Sequence, residues 1–191
     1  MTWIETGSTI CFKPYSLEEA LRGLAEAGFE NVEIGAVKGF LDHMDPDAPD
    51  VDEAQAAGIR LCIETDSNLL PTAQAGLELL AEIDRDWIQI NYDPGNVVYY
   101  TGAQPEDDIK LALGRIGHVH LKDKRGGKDV LDFPPLGEGE LDLAAMLRDL
   151  EASGFDGPVS MEIEYRNYEY PPWDECVESA RRGKAHWDSL G

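Results

Sequence analysis

Four residues whose side chains could share one cation recur along the chain at intervals of 29, 27 and 42 residues: Glu64, Asp93, His120 and Glu162. Each interval is about the length of one strand-plus-helix unit, so the four would occupy the ends of successive strands. Three carboxylates and one neutral imidazole make a hard, oxygen-rich donor set that suits Mn²⁺ or Mg²⁺ ahead of Co²⁺ or Zn²⁺. Zinc more often draws thiolates or several histidines. Taken singly, each residue has a plainer explanation: a lone His120 is commonly a hydrogen-bonded core residue, and Glu64 could cap a helix. Their joint placement points to a metal centre.

The phase of side-chain alternation supports that placement. One face of the run ending at Asp93 carries Gln89, Asn91 and Asp93. His118, His120 and Lys122 share a face, as do Ser160, Glu162 and Glu164, Cys62 and Glu64, and Asn31 and Glu33. Alternate strand residues point the same way. An antiparallel sheet with one wet face would give the same pattern in any single strand, but helices between the strands argue for parallel architecture. In a βα-barrel, inward polar residues near the strand ends gather at the C-terminal mouth, where active sites lie. Glu33 is therefore a candidate to contact substrate or to hydrogen-bond inside the barrel. His118, one layer deeper than His120, reads as structural.

The elements that must position these residues alternate along the chain. Extended runs are expected at Thr9–Phe12, Asn31–Ile34, Ile59–Glu64, Trp87–Asp93, Ile116–Lys122 and Pro158–Glu164. Helical periodicity occupies Ser16–Ala27, where Ser16 and Glu19 form a capping-box pair and Gly28 stops the helix. It recurs in Thr72–Ile83, Pro105–Leu113, Asp142–Ser153 and Trp173–Trp187. Asp42–Asp52 reads as an acidic, proline-broken loop before a short helix near Glu53–Ala57. Gly137-Glu138-Gly139-Glu140 reads as a turn, and Tyr165–Trp173 as a loop after the last strand. No linker divides the chain, so residues 1–191 are expected to form one domain.

Bulk composition excludes several function classes. Sixteen Lys and Arg face 38 Asp and Glu, for a net charge of −22. That surface repels phosphate backbones and anionic membranes, so neither nucleic acid nor membrane is an expected partner. No apolar run approaches the roughly 20 residues needed to span a bilayer. The three scattered cysteines, Cys11, Cys62 and Cys176, without CxxC spacing, argue for a reducing compartment, the cytoplasm.

The segments GIRLCIET, INYDPGNVVYY, IGHVHLKDKRGG, PLGEGELD and GPVSMEIE resemble the second half of the xylose isomerase-like TIM-barrel family of sugar isomerases and epimerases. The stretch SLEEALRGLAEAGFENVEIG resembles that family's first helix and second strand. By this resemblance Glu64, Asp93, His120 and Glu162 fall on the metal-ligand positions. Asn96 falls where members place a substrate-contacting side chain, and Lys122 or Arg125 where a basic residue meets substrate oxygens. The implied activity is isomerisation or epimerisation of a small ketose or related hydroxy-carbonyl sugar. A divalent cation bridging two vicinal oxygens would stabilise an enediolate, with Glu64 and Glu162 doubling as base and acid.

The chain departs from that family in length. A closed barrel needs eight strands in about 250 residues, whereas six strands are legible in 191 residues. The third and fourth βα units are missing, so the expected fold is an α/β, TIM-barrel-like one shortened to about six units. Exposed sheet edges would then invite coverage by a second copy in a homo-oligomer. The shortening leaves two alternatives: a non-catalytic or impaired barrel that binds metal or ligand, and a dehydratase acting on a keto-polyol through the same site. A barrel nuclease is disfavoured by four histidines in all and by the negative charge. Rossmann and P-loop enzymes are disfavoured because neither glycine signature is present.

Overall fold

The computed structural model describes residues 3–34, 36–37, 41–42, 60–67 and 70–190. Six parallel strands form its main sheet: β1 (Ile4–Ser8), β2 (Val32–Glu33), β5 (Leu61–Glu64), β6 (Ile88–Tyr92), β7 (Ile116–Lys122) and β8 (Pro158–Glu162). Their order across the sheet is β2-β1-β8-β7-β6-β5, so the first strand pairs with the last. A separate two-stranded antiparallel pair, β3 (Ala36–Val37) and β4 (Leu41–Asp42), follows β2. The main sheet is the arc of a barrel with β2 and β5 at its edges. Only 27 residues, 34–60, separate the two edges. Two βα units of about 30 residues each would be needed to close the ring.

Helices cover the outer face of the arc. α1 (Leu17–Ala27) starts at Ser16, whose hydroxyl accepts from the Glu19 N–H while Glu19 Oε2 accepts from the Ser16 N–H at 3.0 Å. A cap of this kind is worth about 1 kcal/mol. Gly28, with φ of 99°, closes the helix in the left-handed region that favours glycine. α2 (Ala73–Ile83), α5 (Leu143–Ser153) and α6 (Trp173–Asp188) follow the expected positions to within a residue or two. Their buried stripes, including Leu24, Leu80, Met146, Leu147, Leu150, Val177 and Trp187, meet the outward side chains Ile90, Val119, Leu121, Val159 and Met161.

Three expectations about elements need correction. Thr9–Phe12, expected as a strand, is a 3-10 helix, and β1 lies one segment earlier at Ile4–Ser8. The β-branched and apolar residues of that turn are buried, so they resemble a strand in composition. Pro105–Leu113 is a single short turn of helix, α4 (Pro105–Asp108), followed by 3-10 turns at Ile109–Leu111 and Leu113–Arg115. There Asp108 is tied to neighbouring elements: its Oδ2 accepts from the Ala73 N–H at 2.8 Å and from the Tyr92 hydroxyl at 3.1 Å. A helix absent from the sequence reading, α3 (Pro94–Thr101), begins directly after β6. The Asp42–Asp52 loop and the Glu53–Ala57 helix fall largely or wholly outside the described residues.

None of the described helices is long and apolar enough to cross a membrane. All three cysteines are free thiols.

Candidate metal centre

Strand register carries the four candidate ligands to one end of the arc. Glu64 closes β5 beside Asn91 of β6, Asp93 follows β6 directly, and Glu162 closes β8 beside Lys122 of β7. His120 lies one inward layer below Lys122. A shift in pairing between Ile90 and Asn91 lets β7 insert Gly117, after which His118, His120 and Lys122 all face inward. A Cβ at Gly117 would stand 2.3 Å from Gln89 Oε1 and 2.9 Å from Cys62 Sγ, so any larger residue in this bulge must push those side chains aside.

The loop after β6 is built from the same residues. Asp93 is the N-cap of α3: its Oδ1 accepts from the Asn96 N–H at 2.9 Å, and Pro94 takes the first helical position. The Asp93 N–H in turn donates to Thr65 Oγ1 at 2.7 Å, which ties the ends of β5 and β6 together. Asp93 Oδ2 is left to face Lys122 Nζ at 3.1 Å and His120 Nδ1 at 3.8 Å.

Each of Glu64, Asp93, His120 and Glu162 offers one donor atom, and these atoms all lie within 4.8 Å of one another. Oxygen and nitrogen ligands about 2.0–2.6 Å from one cation cannot be much farther apart than that. His120 Nδ1 is 3.1 Å from Glu64 Oε1, 3.5 Å from Glu162 Oε1 and 3.8 Å from Asp93 Oδ2. Asp93, His120 and Glu162 are buried, and Glu64 is half-buried. The residues therefore fit a hard divalent ion in both donor type and spacing.

The electrostatics favour added positive charge. Five carboxylates, Glu33, Glu64, Asp93, Glu162 and Glu164, surround His120 and Lys122. Burial drives the Asp93 carboxyl up to about 7; Lys122 opposes that rise, and Glu64 and Glu162 add to it. Burial opposes a charge on His120, but Glu162, Glu33 and Glu64 outweigh it and hold the imidazole well above its ordinary 6.5. In His118, burial and the neighbouring His120 push the pKa down to about 4, so this deeper imidazole is neutral.

Of the two basic candidates, Lys122 is at the centre. Its ammonium is 3.1 Å from Asp93 Oδ2, 3.1 Å from Glu162 Oε2, 2.9 Å from Glu164 Oε2 and 3.3 Å from Asn96 Oδ1. Asn96 Nδ2 donates to Glu64 Oε1 at 3.1 Å, so Asn96 bridges the two sides of the group. The structure does not bring Arg125 there: its guanidinium is 3.4 Å from Asp132 Oδ2 and donates to the Glu138 carbonyl at 2.7 Å. Glu33 faces His120 Nε2 at 2.9 Å.

One residue of the group, Ser8, lies outside the sequence reading: its Oγ donates to Glu162 Oε1 at 3.1 Å from a strand that begins earlier than expected. Glu164, placed on the inward face by the two-residue period it shares with Ser160 and Glu162, does line the cavity. The Gly137–Glu140 turn supports the site from behind. Asp123 follows Lys122, and its carboxylate accepts from the N–H groups of Gly137, Gly139 and Leu141 at 2.9, 2.9 and 3.3 Å.

The centre opens into a cavity of about 1030 Å³. Tyr99, Tyr100, Phe133 and Tyr168 form an aromatic wall beside Glu64, Asp66 and Asn96. The size is at the upper end for small-molecule sites.

A family model described as the xylose isomerase-like TIM barrel matches residues 48–186. The chain belongs to that family. Among curated proteins, it is 29% identical over 130 residues to L-ribulose-5-phosphate 3-epimerase UlaE of Salmonella paratyphi C, a match covering 68% of this chain and 42% of that one. It thus spans about two fifths of the length of the curated relatives it matches. An L-ribulose 3-epimerase structure superposes with a TM-score of 0.72 at 18% identity, covering 100% of this chain and 94% of the other. The D-allulose 3-epimerase of Methylomonas sp. gives a TM-score of 0.75 at 14% identity, covering 100% and 98%. These likenesses establish the fold of this xylose isomerase-like chain.

Proposed function

We propose that the chain is a divalent-metal-dependent epimerase of a small ketose, with Mn²⁺ or Mg²⁺ held by Glu64, Asp93, His120 and Glu162. The observation that carries this reading is the convergence of those four donors within 4.8 Å at one end of a parallel arc. The 3-epimerase names of its relatives agree with it.

A cation in that position supplies Lewis-acid polarisation of the ketose's carbonyl and neighbouring hydroxyl. The protein supplies the proton transfers. Glu64 and Glu162 reach the centre from strands separated by β6 and β7, and so approach a bound sugar from different sides. One carboxylate removes the proton α to the carbonyl, and the C–H electron pair passes into the double bond of an enediolate. The other, as the acid, delivers a proton to the opposite face and inverts that carbon. Lys122, already beside Asp93 and Glu162, offers fixed positive charge where the oxyanion develops. Asn96 orients the substrate's oxygens, and a second copy of the chain covers the β2 and β5 edges. A monomer in sedimentation measurements at micromolar concentration would remove the last statement.

The direct test is elemental analysis of protein purified without chelator, wild type beside Asp93→Ala, followed by incubation with Mn²⁺ and L-ribulose or D-allulose in D₂O. About one equivalent of metal is expected, lost in the variant. Deuterium at C3 and the C3 epimer are expected together, and both should vanish in Glu162→Gln. No bound metal after Mn²⁺ is added back would reject the enzyme reading. Undiminished exchange in Glu162→Gln would remove that residue from proton transfer. The two missing βα units favour a second reading, a barrel that binds metal without turnover; bound metal with no exchange on any ketose would support it.

A further inference from the structure

His120 is buried between two sets of acids. Its Nδ1 faces Glu64, Glu162 and Asp93, while Nε2 lies 2.9 Å from Glu33 Oε1. Glu33 comes from the edge strand β2, which supplies none of the four ligands. A neutral imidazole carries one proton, and the nitrogen that bears it cannot bind a cation. We propose that Glu33 is a positioning residue whose carboxylate holds that proton on Nε2, so that Nδ1 presents its lone pair to the cation. This role rests on the metal-centre reading above.

The surrounding hydrogen bonds leave little choice. The Thr6 hydroxyl donates to the Val159 carbonyl at 2.9 Å, so its oxygen must accept from Ser160, 2.6 Å away. Ser160 Oγ is then free to accept, and the neutral His118 donates to it from Nε2 at 2.7 Å. The His118 proton is thereby directed away from Glu33, whose Oε2 is 4.0 Å from that nitrogen. Glu33 Oε1 therefore faces the His120 Nε2 hydrogen at 2.9 Å, with the Ser160 hydroxyl as a further neighbour of the same carboxylate.

The same assignment disposes of a rival. Glu33, His118 and His120 also offer donor atoms within 4.8 Å of one another, as a second cation site would. Both imidazole nitrogens nearest Glu33 carry hydrogen under the assignment above, so neither has a lone pair to give.

Asn91 fits the same scheme. Its Nδ2 is 3.0 Å from His120 Nε2, and its Oδ1 is buried with no hydrogen-bond partner among the described residues. The two ends of a carboxamide have the same shape. Turned over, the amide places Oδ1 against the Nε2 hydrogen as an acceptor, which replaces a donor-to-donor contact with a hydrogen bond. Glu33 and Asn91 then share one donor, in the way carboxylates and amides orient metal-bound histidines elsewhere.

The experiment is calorimetric titration of Mn²⁺ into wild type, Glu33→Ala and Glu33→Gln. Loss of such a partner weakens metal binding about 10–100-fold. Glu33→Ala should fall in that range, and Glu33→Gln, which keeps an acceptor but not the charge, should lie between it and wild type. If Glu33→Ala matches wild type within about twofold, or raises only the KM for a ketose, the positioning role is overturned while the metal centre stands. Wild type that takes up no Mn²⁺ overturns the centre and this role with it. A second measurement needs no variant: ¹⁵N NMR of histidine-labelled wild type loaded with Zn²⁺ should show hydrogen on Nε2 of His120 and metal on Nδ1, and the reverse assignment overturns the proposal.

Discussion

Lys122 and Glu162 are register partners on adjacent strands, and their side chains meet with Nζ 3.1 Å from Oε2. The ammonium is buried with three carboxylates around it, so its removal leaves uncompensated buried charge. That situation costs about 3–5 kcal/mol. Lys122→Met should lower the melting temperature of the metal-free protein sharply, and added Mn²⁺ should restore more stability to the variant than to wild type. Thermal melts with and without Mn²⁺ check this, and an unchanged metal-free melt would show that the pairing contributes little.

Asp93 caps α3 and, under the proposed function, also binds the cation, and the two roles are separable. Asp93→Asn keeps an oxygen for the Asn96 N–H and removes the buried charge. Its metal-free form should be at least as stable as wild type, while Mn²⁺ binding falls beyond detection by titration. Asp93→Ala, which also loses the cap, should be about 1 kcal/mol less stable than Asp93→Asn.

The pH dependence follows from Asp93 and His120. Folding raises the Asp93 pKa from 3.8 to about 7, so its contribution to stability is complete below 3.8 and is lost as pH climbs through 7. His120, held well above 6.5, contributes fully below 6.5 and loses that contribution as pH rises through its folded value. Glu33, where burial is outweighed by the nearby His120 and His118, is held at about 2 and stays ionised throughout this window. The metal-free protein should therefore lose stability as pH rises from about 4 through 7 on account of Asp93, and further above 6.5 on account of His120, and Mn²⁺ should bind more tightly as these protons leave. Melting curves and titrations at pH 5.5, 6.5 and 8 would show it; metal affinity independent of pH would contradict it.

Gly139 approaches Asp123 so closely that a Cβ there would stand 2.1 Å from Oδ1 and 2.7 Å from the Lys124 nitrogen. Gly139→Ala must displace backbone or break the three N–H bonds to Asp123. A loss of about 1–3 kcal/mol is expected by denaturant unfolding, together with weaker metal binding because Lys122 precedes Asp123. A variant as stable as wild type would mean the turn yields freely.

Much of this arrangement was legible because two periods rarely conflict in parallel α/β chains. Residues Ile116–Lys122 alternate cleanly and form β7 over that same range, and the Ser16–Glu19 capping box marks the start of α1. The inward phase grouped Glu64, His120, Lys122 and Glu162 without knowledge of strand order. What escaped were places where composition and tertiary position disagree. Thr9–Phe12 has strand composition but turns over the end of β1, so Ser8 was not seen. The residues after Asp93 were assigned to no element, although Asp93-Pro94 is a helix start and α3 follows. Arg125 matched by its place in sequence, yet Asp132 and the Glu138 carbonyl hold it elsewhere.

The pairing of β1 with β8 has a consequence for how the protein is made. Ser8 and Glu162, 154 positions apart, join across this seam, as do Thr6 and Ser160. Such distant pairings form late, because loop closure must precede any gain from the contact. A nascent chain on the ribosome can assemble β5, β6 and β7 with three of the candidate donors in place. The fourth arrives with β8, and the β1–β8 seam can form only after that strand emerges, so the four donors cannot converge before β8 is made.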